Sequence, residues 1–147
     1  AELGATLGEA PPGLLAALGT YGSLVGRAFQ LRDDLLGVFG DPSVTGKPAG
    51  DDIREGKRTL LVLMALENGN AHQRETLTSL LGAPGLTEED LTTAREIIET
   101  TGARNSCEEL IARSTRDALT ALEGVDMDAE GLSALIALAG LATDRDR

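Results

Sequence analysis

Within FQLRDDLLGVFGD, residues 29–41, two aspartates stand side by side in a run that is otherwise mostly apolar. If that run is a helix, Gln30, Asp33, Asp34 and Gly37 lie within one and two turns of each other, because spacings of three and four share a face. Two carboxylates about 4 Å apart repel by roughly 4 kcal/mol at an effective dielectric near 20, so a water-poor wall holds both ionised only with a cation beside them. Mg²⁺ meets that need. It is a hard ion that takes one or two carboxylates, keeps several waters and shares its remaining positions with phosphate oxygens. The plain alternative for an isolated pair is that both acids face solvent. Lys47 and Lys57 bracket the segment GKPAGDDIREGK, and both could reach back to neutralise an anionic ligand. Asp51 and Asp52 add acids to the same segment.

One competing reading of the lysine fails. GDPSVTGK has the outline of a phosphate-binding loop, but Gly40 to Gly46 is one residue too long, Pro48 stands where Ser or Thr should hold the metal, and no strand precedes it. Other reactive residues read as structural. Cys107 is alone and flanked by Glu108 and Glu109, whose charges raise a thiol pKa. His72 follows a Gly-Asn-Ala turn and reads as a surface residue at a helix start. The tail Arg145-Asp146-Arg147 reads as frayed chain rather than a phosphate contact.

The elements that must position these groups are helices. Leu, Ala, Glu and Arg dominate while aromatic and β-branched residues are few, which predicts an all-α protein. Pro11 and Pro12 open a long helix over about 14–39, with Leu14, Leu18, Tyr21, Val25, Leu31 and Leu35 on its apolar side. Gly40 to Gly56 is dense in Gly, Pro, Asp and Ser and reads as one ordered loop. Lys57 to Asn68 is apolar almost all round and reads as a central helix ended by Gly69. Further helices follow over 72–81, from Thr87 with Asp90 as a capping box through Thr101, over about 104–122 and over 128–142.

Composition narrows the function. With 147 residues and no linker-like stretch, residues 1–147 read as one folded unit. A net charge of -11 disfavours nucleic acid and anionic membrane surfaces, which need clustered Lys and Arg. The single cysteine excludes an internal disulfide and a multi-cysteine zinc site, and points to a reducing cytosol. No apolar run reaches membrane-spanning length, so no stable membrane insertion is expected. The chain opens at Ala1 within a helical pattern, which suggests that residues precede it.

GRAFQLRDDLLGVFGD followed by TGKPAGDDIREGKRT resembles the second aspartate-rich region of trans-polyprenyl diphosphate synthases, with Phe-Gln, the Asp pair, Gly-Lys and the later Lys in the family's order. The similarity is strong from about Pro11 to Leu66. It implies a helical bundle of the isoprenoid synthase type, of which this is the C-terminal part. It also implies an Mg²⁺-dependent reaction in which an allylic diphosphate ionises and is attacked by the double bond of isopentenyl diphosphate. On this resemblance Asp33 ligates Mg²⁺, Asp34 supports that shell and Asp51 reaches the same ion through water. Lys47 and Lys57 hold the allylic diphosphate, and Phe29 and Gln30 line the pocket near the developing cation. A homodimer in the cytoplasm is implied as well. Two departures stand out. The motif is DDLLG rather than DDxxD, with Gly37 in place of the third acid, and the family's first aspartate-rich motif is absent. The expectation is therefore a prenyltransferase portion inactive alone. The alternative is a non-catalytic helical subunit that modifies a partner synthase; terpene cyclisation suits the lysines less well.

Overall fold

The computed structural model describes residues 2–42, 46 and 49–143, and every regular element among them is a helix. Lys47 and the tail Arg145 to Arg147 lie outside the described residues. Helix α1 spans Glu2–Leu7 and α2 spans Pro12–Phe39, beginning on the proline whose fixed φ suits a first helical position.

The chain packs as two units. Among the described residues, the first comprises residues 2–30 together with residues 110–143. It therefore takes in α1, the first part of α2, the end of α7 (Ala103–Thr120) and all of α8 (Ala129–Thr143). Its core is Tyr21 and Val25 against Ala118, Leu122 and Ala139. Asp128 caps α8, its Oδ1 accepting from the Gly131 amide at 2.7 Å. Tyr21 drops its ring into this core and its hydroxyl donates to the Leu135 carbonyl at 2.6 Å. Tyr21→Phe removes this hydrogen bond and should lower stability by about 1 kcal/mol in urea unfolding. Burial also raises the Tyr21 pKa above its ordinary 10.0. The neutral phenol's contribution is thus complete below about pH 10 and is lost as pH rises through the folded-state value, a dependence that Tyr21→Phe should abolish.

The second unit runs from Leu31 to Glu109. It holds the rest of α2, α3 (Asp51–Arg54), α4 (Leu60–Asn68), α5 (Ala71–Leu80), α6 (Glu88–Thr100) and the start of α7. Helices α4, α5 and α6 pack against one another, and Leu61, Leu77, Leu91 and Ile98 are wholly buried. The capping box at Thr87 and Asp90 forms as the sequence predicts. A second box, Asn70 with Gln73, starts α5.

Two elements differ from the sequence reading. The segment predicted as uninterrupted loop carries a one-turn helix, α3, launched from Gly50 at φ 78°. Lys57, predicted inside a helix, precedes α4, because the Thr59 hydroxyl caps that helix by accepting from the Val62 amide at 3.4 Å. The approach to Lys57 is fixed by a close meeting of backbones. Gly56 and Gly82 both adopt positive φ, and a Cβ on Gly56 would lie 3.1 Å from the Gly82 Cα. The Gly82 amide also donates to the Ile53 carbonyl at 2.9 Å.

Candidate active site

The two aspartates of α2 separate as soon as the helix forms, since consecutive residues point about 100° apart. Asp33 is exposed, whereas Asp34 is buried at 7% exposure. The pair therefore offers one accessible carboxylate, backed by a buried one. Phe29 and Gln30 precede them on the same helix and are both exposed.

Behind Asp34 the packing is charged and ordered. Arg32 makes a bidentate pair with Glu108, both N–O distances being 2.8 Å. Cys107 is fully buried, and its thiol is pushed up to about 11, first by burial and then by the charges of Asp34 and Glu108, with Arg32 opposing. Such a thiol is inert. Cys107 should resist Ellman's reagent at about pH 8 in the folded protein and react stoichiometrically once urea unfolds it; rapid labelling of the native chain would contradict the burial.

Helix α3 brings Asp52 against α2. Asp52 is buried at 8% exposure, and its Oδ1 accepts from Lys57 Nζ at 2.7 Å. Lys57 also pairs with Glu55 at 2.8 Å while remaining half exposed. The hydrogen bond that Lys57 donates to Asp52, then the one it donates to Glu55, hold its ammonium well above the ordinary lysine range, so it stays a cation. Asp51 is half-buried on the first turn of α3.

Asp52 reaches α2 itself. A Cβ on Gly37 would lie under 3.0 Å from the Asp52 Cγ and both of its carboxylate oxygens, nearer than real side chains approach. The Asp52 carboxylate thus sits against α2 one turn beyond Asp33 and Asp34, beside the position where the DDxxD pattern has its third acid. The signal in the sequence was Gly37, because a helix-interior glycine costs up to about 1 kcal/mol relative to alanine and marks a close approach.

Two arginines hold these elements in place. Arg54 donates to the Leu86 carbonyl at 2.9 Å and pairs with Glu88 at 2.7 Å, tying α3 to the start of α6. Arg95 Nε donates to the Val38 carbonyl at 2.9 Å, so α6 also grips the end of α2, where a cation offsets the helix dipole.

No three His, Cys, Asp or Glu side chains converge as a ready-made metal cluster among the described residues. The donor set nevertheless fits Mg²⁺, which uses one or two carboxylates and fills its remaining positions with water and phosphate oxygens. Asp33 offers an accessible carboxylate, and Lys57 supplies a fixed cation for an anion that would arrive with the metal.

Comparison with known proteins finds similar sequences and structures. The family model for polyprenyl synthetase matches residues 1–98. The chain is 38% identical over 139 residues to a geranylfarnesyl diphosphate synthase of Aeropyrum pernix, covering 92% of this chain and 42% of that protein. It is 38% identical over 145 residues to a short chain isoprenyl diphosphate synthase of Methanothermobacter thermautotrophicus, covering 99% and 44%. Among solved structures, geranylgeranyl pyrophosphate synthase from Corynebacterium glutamicum, complexed with isoprenyl diphosphate and magnesium, superimposes with a TM-score of 0.92 at 44% identity, over 98% of this chain and 41% of that one. A Caulobacter crescentus polyprenyl synthase, complexed with calcium and isoprenyl diphosphate, gives 0.84 at 36% identity, over 99% and 44%. The chain spans less than half the length of these relatives.

Proposed function

We propose, since this chain belongs to the polyprenyl synthetase family, that it is part of a single all-α domain condensing an allylic diphosphate with isopentenyl diphosphate. The observation that supports this reading is the exposed Asp33 on α2 together with the Asp52 carboxylate, which packs one turn farther along at Gly37 and pairs with Lys57. Mg²⁺, when bound, would draw electron density from the leaving diphosphate and so assist its departure. Asp33 would hold the ion, and Asp34, buried behind it, would add negative charge to that side. Asp51 would reach the same ion through water, and Asp52 would orient Lys57. Lys57 would bind diphosphate oxygens and stabilise the charge that grows as the carbon–oxygen bond breaks. Lys47 is assigned the same task, while Phe29 and Gln30 would flank the prenyl chain where the carbocation forms. The reading extends to a homodimer of the complete protein in the cytoplasm, as the family resemblance implies; no helix among the described residues is long and apolar enough to cross a membrane.

The test supplies the upstream portion of the synthase in cis or in trans, with Mg²⁺ and both substrates. A longer prenyl diphosphate should appear, and this chain by itself should make none. If the assembled protein yields no product, or yields it equally with Asp33→Ala, the chain is not the catalytic half. The second reading, a subunit that modifies a partner synthase, would then require a stable complex whose activity survives loss of Asp33 and Lys47.

A further inference from the structure

Gly37 sits inside α2, where glycine is among the poorest helix formers. Nothing in the backbone demands it, since Gly37 is absent from the glycines that adopt positive φ. Its missing side chain matters instead for what fills the space. The three atoms nearest to a Cβ at this position are Cγ, Oδ1 and Oδ2 of Asp52, and all lie under 3.0 Å. The same carboxylate holds Lys57 Nζ at 2.7 Å.

We propose that Gly37 is a socket for the Asp52 carboxylate, and that the bare helix surface at this position sets where Lys57 is held. This rests on the reading above that Lys57 binds a diphosphate. Helix α3 cannot easily retreat from α2, because Arg54 is anchored to Leu86 and Glu88, and the Ile53 carbonyl accepts from Gly82. Any side chain at position 37 must therefore expel the carboxylate rather than push the helix away. The DDLLG form of the motif then does more than lack an acid. It exchanges a carboxylate rooted on α2 for one rooted on α3, and the second carries a lysine with it. Gly37 is on this account a positioning residue acting through Asp52.

The experiment is a double-mutant cycle in the complete protein, read by thermal unfolding and by calorimetric binding of inorganic pyrophosphate at fixed Mg²⁺. Gly37→Ala alone should lower Tm by about 3 °C and weaken pyrophosphate binding about tenfold. In an Asp52→Ala background, which removes all three obstructing atoms, the same change should raise Tm by about 2 °C, because alanine is then simply the better helix former. It should also leave binding where Asp52→Ala had set it. Gly37→Ala acting with one sign and size in both backgrounds would overturn the socket. A wild-type protein that binds no pyrophosphate would remove the diphosphate reading and the claim on Lys57 with it, while the reversal of sign in Tm would still establish the socket.

Discussion

Asp33→Ala in the complete synthase should lower kcat by about a thousandfold, with a smaller change in the KM for isopentenyl diphosphate. The expectation follows from exposure rather than from sequence adjacency. Of the two neighbouring acids only Asp33 is open to an incoming ion, Asp34 being buried beside Cys107. If Asp33 holds the ion as proposed, its removal takes away a charged donor, which waters cannot replace because they bring no charge. Asp33→Asn keeps the shape and the oxygen but not the charge, so it should fall between wild type and alanine. Its activity should recover partly as Mg²⁺ is raised. Steady-state turnover across a Mg²⁺ titration measures both effects. Activity of Asp33→Ala within threefold of wild type would show that the metal, if any, is held elsewhere.

Lys57→Ala should cost about a hundredfold in kcat/KM for the allylic diphosphate and raise the inhibition constant of pyrophosphate in parallel. Lys57 is exposed enough to meet a ligand, yet Asp52 and Glu55 hold it at 2.7 and 2.8 Å. It therefore need not search among the conformations open to a free surface lysine, and its alignment is established before the ligand arrives. Both acids also keep it protonated, so the pH profile of allylic diphosphate binding should show no basic limb from this residue below the ordinary lysine value of 10.5. Lys57→Arg keeps the charge but replaces a compact ammonium by a planar fork, and should recover only part of the loss. Asp52→Ala should weaken binding less than Lys57→Ala, because the cation remains and only its restraint is gone.

The helical architecture was legible because the signals for it are local. Apolar spacing along α2, the proline at its start and the Thr87–Asp90 box act within a few residues of themselves, and each appears where the sequence puts it. The aspartate pair was legible as residues, but its asymmetry only in part: the rotation between neighbours is fixed by the helix, whereas the burial of Asp34 depends on α7 arriving from much later in the chain. Asp51 and Asp52 are alike in a segment that reads as loop, and only the family resemblance singles out Asp51. The distinction comes from α3, which turns Asp52 inward against Gly37 and leaves Asp51 half exposed. Lys57 reads as helical because LLVLMALEN continues smoothly from it, whereas the Thr59 hydroxyl, accepting from the Val62 amide, starts the helix after it. The departure at Gly37 was visible as a missing acid but not as a filled space, which is a property of two segments rather than one.

The glycine clasp at residues 56 and 82 has a mutational corollary. Because the backbones meet there, α4 and α5 form a detour whose departure and return are fastened together. Substitutions on the exposed faces of this hairpin, away from the buried Leu61 and Leu77, should therefore leave Lys57, at its threshold, in place.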